Sequence, residues 1–177
     1  MKKTIAKLYC LQLQYDGIPD SIYEFFTPEE QKMLKEVNGK SFLKEEYRKQ
    51  ITIVLTGGVF DILHIGHVYT LEEAKKHGDV LVVVVAKDQH IKNKKRKLIH
   101  SQEYRTKMVE FLKPVDVSLL GREDPKEVLE FVKPDIVVFG YDQEVFINSK
   151  DIKIIKLEKR LEEDKFKTSK IIEELGV

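Results

Sequence analysis

The sequence predicts an α/β fold in which a parallel sheet of five strands is covered by helices on both of its faces. Five short and mostly β-branched runs come after residue 50, namely 51–56, 79–86, 115–121, 135–140 and 152–157. Helical patterns with short loops on either side separate these runs. Strands that alternate with helices in this way indicate a doubly wound sheet with parallel strands. The ligand crevice of such a sheet lies at the carboxyl ends of its strands.

Length and composition indicate a globular protein and argue against several functional classes. The chain has 177 residues, of which 42% are hydrophobic, and this is enough for one domain with a core. Its 31 Lys and Arg residues nearly balance its 30 Asp and Glu residues, so the charge does not indicate nucleic-acid binding. No apolar run approaches the roughly 18–20 residues of a membrane span, and no secretory signal is expected. The single cysteine, Cys10, cannot form a disulfide within the chain, which predicts a cytoplasmic location.

The first 50 residues differ from the rest because their short, rather polar segments have a helical pattern. Thr27 is a predicted N-cap, and Glu30 completes a capping box with it. Asn38-Gly39 is expected to end that helix, and a further short helix is predicted after it. The sequence therefore predicts two regions, which are a small helical extension at 1–50 and the α/β domain at 51–177.

Polar clusters follow four of the five predicted strands of the α/β domain. In chain order these clusters are TGGVFDILHIGH, KDQHIKNKKRK, GYDQ and KTSKII. Because the carboxyl ends of parallel strands meet at one edge of a sheet, the four clusters are predicted to converge on a single site.

The first cluster concentrates glycines and histidines where the first strand meets its helix. Gly57 and Gly58 are expected to allow positive φ and a close approach of a ligand to the main chain. The next helix is predicted to begin near Gly66, and the N–H groups of a helix start favour an anion. His64 and His67 are three residues apart, so both imidazoles can face the same way. Two ring N–H donors above a helix start suit a polyphosphate.

Two other interpretations of the histidine pair stay open from the residues alone. Two histidines three residues apart can bind zinc, provided that another ligand is supplied, and Asp61 is the nearby candidate. The simpler interpretation is a capped turn with two partly buried histidines. The position after a β-branched strand and a Gly-Gly pair favours phosphate over both.

The segment GGVFDILHIGH resembles the signature of the cytidylyltransferase-like nucleotidyltransferases, G-x-F-D-x-x-H-x-G-H. The match holds at six positions, Gly58, Phe60, Asp61, His64, Gly66 and His67. The resemblance extends over about residues 51–175 and implies a Rossmann-like domain. It also implies transfer of a nucleoside monophosphate from a nucleoside triphosphate to a small phosphorylated acceptor, with release of pyrophosphate. The implied nucleotide-binding loop is Gly57, Gly58, Val59, Phe60, Asp61 and Gly66, with His64 and His67 on the triphosphate.

The basic segment KNKKRK at 92–97 is, taken alone, typical of a solvated and mobile loop. The family pattern K-x-x-H-S-x-E-x-R gives it a second interpretation, because it matches here from Lys97 to Arg105. The resemblance implies that Lys97 is the functional cation of this loop. It implies also that Arg105 binds phosphate, and a planar guanidinium can do so bidentately. By the same resemblance Asp61, in the GGVFDILHIGH segment, orders that loop or approaches the acceptor or a metal ion.

The two later clusters contain further candidate nucleotide contacts. Gly140 permits a sharp exit from the fourth strand, and Asp142 and Gln143 can read ribose or base edges. Thr168 and Ser169 stand at a predicted helix start, where hydroxyl and N–H groups suit phosphate. An ordinary turn and an ordinary N-cap are the alternatives. The family has G-x-D and S-T-S-x-I elements at these places, which favours nucleotide contact.

Two acceptors compete in the resemblance. The stretches VVAKD, KPDIVVFGYDQ and TSKII resemble archaeal FAD synthases, which transfer AMP from ATP to FMN. The K-x-x-H-S-x-E-x-R block resembles cytidylyltransferases that use CTP and glycerol phosphate or a similar polyol phosphate. FMN adenylylation is the prediction, since its resemblance covers more of the chain. A bridging Mg²⁺ or other divalent cation, with no assigned protein ligand, and a homodimer are also implied.

A regulator that senses nucleotides is the alternative of a different class. It would need the first 50 residues to form a DNA-binding helical module. Their charge is only +1, from nine Lys and Arg against eight Asp and Glu, and no basic recognition helix is visible. The sequence therefore favours an enzyme.

Overall fold

The computed structural model describes residues 1–92 and 98–158. The helices of these residues are α1 (Lys2–Gln14), α2 (Asp20–Tyr23), α3 (Pro28–Lys32), α4 (Glu45–Arg48), α5 (Ile65–Lys75), α6 (Asp88–Lys92), α7 (Gln102–Glu110) and α8 (Pro125–Val132). The strands are β1 (Leu34–Val37), β2 (Lys40–Leu43), β3 (Ile53–Gly58), β4 (Val80–Val85), β5 (Val117–Leu120), β6 (Ile136–Phe139) and β7 (Lys153–Lys156).

The predicted parallel sheet is confirmed, with the spatial strand order β5-β4-β3-β6-β7. All four neighbouring strand pairs are parallel. The order reverses its direction between β3 and β6, which are adjacent in space although β4 and β5 separate them in sequence. Such a switch point leaves a crevice outside the carboxyl ends of the two strands, because the connections leave it on opposite sides. The loops after β3 and β6 therefore form the expected binding site.

Two apolar layers cover the sheet. On one face, α5 and α7 contribute Leu71, Ala74 and Val109 to a cluster with Val54, Val83 and Val138 of the strands. On the other face, α1 and α8 contribute Leu8, Leu13 and Val132 to a second cluster with Val82 and Val137. Consecutive strand side chains point to opposite faces, which is why β4 supplies both clusters. The sheet is thus doubly wound, as the sequence predicts.

The extension packs directly on the α/β domain, with α1 covering part of one face of the sheet. The hydroxyl group of Tyr9 donates to the backbone carbonyl of Val132 at the end of α8. Arg48 donates to the carbonyl of Lys133 at 2.7 Å and to the carboxylate of Asp135 at 3.0 Å. Asp135 in turn accepts from the N–H of Ile53 at the start of β3. The extension therefore shares its core with the sheet, and a domain boundary near residue 50 stays a prediction.

The prediction that the extension is wholly helical is wrong, although its Thr27–Glu30 capping box is present. The helix ends at Lys32, and β1 and β2 form an antiparallel hairpin in which Val37 pairs with Lys40. Asn38 and Gly39 have φ values of 52° and 74°, so they form a two-residue hairpin turn and do not end a helix. Asn-Gly is the preferred pair for such a turn because both positions need positive φ.

Within residues 1–92 and 98–158, we find no helix with the length and apolar character needed to cross a bilayer.

Candidate active site

The two histidines of the signature lie together where α5 begins. His64 is the N-cap residue of α5, and His67 lies in its first turn. Their rings are stacked, with centroids 3.8 Å apart and planes inclined by 28°. A Cβ atom on Gly66 would lie 3.0 Å from Nδ1 of His64, which is closer than ordinary packing allows. Glycine at position 66 therefore lets the His64 ring lie over the helix start.

Burial changes the protonation of His64. Its Nδ1 atom is buried and has no hydrogen-bond partner among the residues that the structure describes. Burial lowers the pKa of His64, and the nearby carboxylate of Asp142 opposes this shift. A charged imidazolium is disfavoured in such surroundings because it loses hydration. The ring is therefore neutral near pH 7 and carries one N–H donor.

The backbone before the histidines differs from the prediction at one point. Gly57 and Gly58 do not take positive φ, and they extend β3 by pairing with Val84 and Val85 of β4. Phe60 instead takes the left-handed conformation, with φ of 53°. A Cβ atom on Gly58 would lie 2.8 Å from the ring of Phe60, so this glycine makes room for the turn. The Phe60 ring then packs against His67, with centroids 5.1 Å apart.

The loop after β6 joins this site, as predicted from the convergence of strand ends. The side-chain amide of Gln143 donates to the carbonyl of Gly57 at 2.7 Å. Its oxygen accepts from the N–H of Gly140 at 2.8 Å. Asp142 beside it is exposed and close enough to act on the pKa of His64. Gln143 thus joins the two loops at the switch point.

Asp61 joins the loop after β3 to the segment before α7. Its side chain is 1% exposed, and its carboxylate accepts from the N–H groups of Ile99 at 3.2 Å and His100 at 3.0 Å. The Nδ1 atom of His100 lies 3.0 Å from the carbonyl oxygen of Asp61. Of the roles that the resemblance implies for Asp61, this geometry supports the ordering of the loop.

Arg105 is placed differently from the prediction that it binds phosphate. Its side chain is fully buried, at 0% exposure. The guanidinium donates to the carbonyls of Val59, Ala86 at 2.8 Å and His100 at 3.2 Å, and to the carboxylate of Asp88 at 2.6 Å. These four acceptors belong to the loops after β3 and β4, to the start of α6 and to the segment before α7. Arg105 is therefore a positioning residue in this structure.

Two positioning residues at this edge were missed by the sequence interpretation. Asp88 is the charged partner of Arg105; it ends the stretch VVAKD, which contributed to the resemblance without a role for its aspartate. Gln102 is buried and donates to the carbonyls of Val85 at 2.8 Å and Gly121 at 3.0 Å. No sequence pattern separates this glutamine from an exposed one at the start of a helix.

Three predicted contacts, Lys97, Thr168 and Ser169, lie outside the described residues. Among residues 1–92 and 98–158 there is no group of three His, Cys, Asp or Glu side chains that could hold a metal ion. The zinc interpretation of the histidine pair therefore lacks a third ligand in this part of the chain.

The chain is similar in sequence to a family of nucleotidyltransferases and to archaeal FAD synthases. The cytidylyltransferase-like family model matches residues 55–175. An FAD synthase of Aciduliprofundum boonei is 45% identical over 131 residues, which are 67% of this chain and 87% of that protein. An FAD synthase of Thermoplasma acidophilum is 40% identical over 137 residues, which are 70% and 96% of the two chains.

A solved structure is similar to this chain in fold and sequence. The lipopolysaccharide core biosynthesis protein from Thermoplasma volcanium has a TM-score of 0.57 and 36% identity, and the match covers 62% of this chain and 98% of that chain. The family match begins within β3 and includes both histidines. The chain therefore belongs to the cytidylyltransferase-like family of nucleotidyltransferases.

Proposed function

We propose that this protein is an FMN adenylyltransferase, which makes FAD and pyrophosphate from ATP and FMN. The observation that carries the proposal is its match to two FAD synthases over 87% and 96% of their lengths. The stacked His64–His67 pair at the start of α5 supports the proposal as a binding site for the triphosphate.

The reaction is a single in-line displacement. A phosphate oxygen of FMN attacks the α-phosphorus of ATP, and the bond from that phosphorus to the bridging oxygen breaks. Pyrophosphate leaves with the electron pair, so no covalent enzyme intermediate is needed. The protein contributes by positioning the reactants and stabilising charge on the phosphates.

His64 and His67 are proposed to donate ring N–H bonds to oxygens of the triphosphate. Both rings stand above the N-terminus of α5, where unpaired backbone N–H groups and the helix dipole favour an anion. A neutral His64 suits this role because it gives a donor without a hydrated charge that must first be removed. The bound triphosphate would raise the pKa of His64 by its own negative charge.

We propose that a divalent cation enters with the nucleotide and neutralises its phosphates, and that this cation is Mg²⁺. Mg²⁺ is commonly held by substrate phosphates with one or two protein carboxylates. Asp142 suits this arrangement because it is exposed and close to His64. Asp61 does not, because its carboxylate is buried on the N–H groups of residues 99 and 100.

The second candidate is transfer of CMP from CTP to a polyol phosphate. It is favoured by the block from Lys97 to Arg105, which resembles glycerol phosphate cytidylyltransferases. A homodimer and a cytoplasmic location remain proposals of the same resemblance and composition.

A substrate grid tests the proposal. Purified protein is mixed with ATP or CTP and with FMN, glycerol 3-phosphate or choline phosphate, and pyrophosphate release is followed in the presence of Mg²⁺. We expect release with ATP and FMN, together with FAD in the chromatogram, and at least ten times less in the other five mixtures. Release with CTP and glycerol phosphate, without FAD formation, would replace the first candidate by the second.

A further inference from the structure

A groove outside the histidine site opens at the same carboxyl edge of the sheet. Its volume is about 530 Å³, which is within the range of small-molecule pockets. We name it the extension pocket, after the end of α1 that forms one wall. The residues used in the argument are Leu13, Gln14, Lys87, Leu120, Arg122 and Phe131.

Backbone hydrogen bonds between the ends of neighbouring strands connect the extension pocket to the loop after β3, which carries His64. The N–H of Ala86 donates to the carbonyl of Gly58 at 2.9 Å. The N–H of Gly121 donates to the carbonyl of Val85 at 2.8 Å. Lys87 and Leu120, which line the pocket, are each next to one of these bonded residues. Since adjacent strands are about 4.8 Å apart, the ends of β3 and β5 are separated by about 10 Å.

The lining of the extension pocket suits a flat ring more than a second phosphate. Leu120, which is 48% exposed, and Phe131 supply the apolar part of the lining, whereas Leu13 beside them is only 3% exposed. The guanidinium of Arg122 lies over the Phe131 ring, 4.8 Å from its centroid, and forms a planar surface. The charges of the lining are two cations, Lys87 and Arg122, against three carboxylates. An excess of carboxylates disfavours an anion.

We propose that the extension pocket binds the isoalloxazine ring of FMN while the FMN phosphate lies at the histidine site. This proposal rests on the proposed adenylylation of FMN. The dimethylbenzene part of the ring is apolar and matches Leu120 and Phe131. The pyrimidine part carries carbonyl and N–H groups, which the side-chain amide of Gln14 can pair with. The ribityl chain then spans the distance between the ends of β5 and β3.

The extension would therefore help to select the acceptor. The family match begins at residue 55, so Leu13 and Gln14 lie outside it. They nevertheless form a wall of the extension pocket, whose other walls come from the loops after β4 and β5 and from α8. A wall supplied by α1 adds apolar and hydrogen-bonding contact for a large ring, which a small polyol phosphate would not need.

The test uses FMN fluorescence quenching, which reports FMN binding without any turnover. Leu120→Glu places a charge against the ring at a position exposed enough to tolerate it, and Gln14→Ala removes the amide. We expect Leu120→Glu to raise the Kd for FMN at least tenfold and Gln14→Ala to raise it about threefold. The KM for ATP should stay within twofold in both. Val37→Glu is the control, since Val37 is also in the extension, is 42% exposed and lies outside the pocket.

The outcomes separate this proposal from the proposed function. Wild-type affinity for FMN in both pocket variants, with thermal melting unchanged, would overturn the extension pocket while FAD synthesis could still be observed. If Leu120→Glu weakens FMN binding as expected but the wild type forms no FAD from FMN and ATP, the pocket is supported and the proposed adenylyltransferase activity is contradicted. A rise in the FMN Kd of Val37→Glu equal to that of Leu120→Glu would also overturn the pocket.

Discussion

The histidine pair and Arg105 belong to motifs of the same family, but the structure uses them in different ways. His64 has a buried Nδ1 atom without a partner in the described part of the chain, and its ring lies above a helix start. Arg105 is fully buried and donates to three carbonyls and one carboxylate. Buried polar groups are nearly always hydrogen-bonded, so the Nδ1 atom of His64 has capacity for a further partner, whereas the guanidinium of Arg105 already has four acceptors.

This difference shows why a motif position alone does not assign a role. A guanidinium whose donors already bind protein oxygens must break those bonds before it can bind phosphate, and each lost bond leaves a carbonyl without a partner. The His64 ring pays no such cost. Substitutions at Arg105 and at the two histidines should therefore have different consequences.

Replacing Arg105 should mainly destabilise the fold. Arg105→Met leaves Asp88 and three carbonyls without their donor, and we expect a loss of about 3–5 kcal/mol in the free energy of unfolding. Urea denaturation measures it. Lys107→Met on the same helix is the control, because Lys107 is mostly exposed and its loss should change stability by less than about 0.5 kcal/mol. Unchanged stability of Arg105→Met, together with lost turnover, would return Arg105 to the phosphate-binding residues.

Replacing either histidine should mainly lower the rate. We expect His64→Ala and His67→Ala to reduce kcat by about 100- to 1000-fold, as for the loss of one charge-stabilising donor, which is about 2.7–4 kcal/mol. Pyrophosphate release measures the rate. His77→Ala serves as the control, because His77 is exposed beyond the end of α5 and no role is assigned to it. Near-normal kcat in both histidine variants would remove the pair from the chemistry.

The smallest expected effect is a pH dependence of stability that His64 causes. Because burial lowers the pKa of His64 in the folded protein, the unfolded chain binds more protons below its ordinary histidine pKa of about 6.5. Stability should therefore be complete above pH 6.5 and fall as the pH is lowered through the folded pKa. Thermal melting at pH 7.5 and 5.5 should show a larger loss in the wild type than in His64→Asn. Equal losses would mean that burial does not shift this histidine.

Most of the fold and the centre of the site could be predicted because their signals are local. β-Branched runs and helical periodicity located all five strands of the sheet, and the glycine-histidine signature located the start of α5 within one residue. The hairpin in the extension was missed, although its Asn38-Gly39 turn has a sequence signal, because the preceding capping box indicated a helix. Local signals thus conflicted there, and the pairing of β1 with β2 decided between them.

The alternation of strands and helices, the family and the position of the histidine pair can be read from the chain alone, since each depends on residues close together in sequence. Tertiary structure alone decided that Arg105 faces Asp88, that Gln143 joins Gly57 and that the end of α1 lines the extension pocket. Those contacts join residues far apart in sequence. They determine whether the donors and acceptors of a buried polar group are already bonded to protein atoms. The spacing of residues along the chain does not show which hydrogen bonds a buried side chain makes.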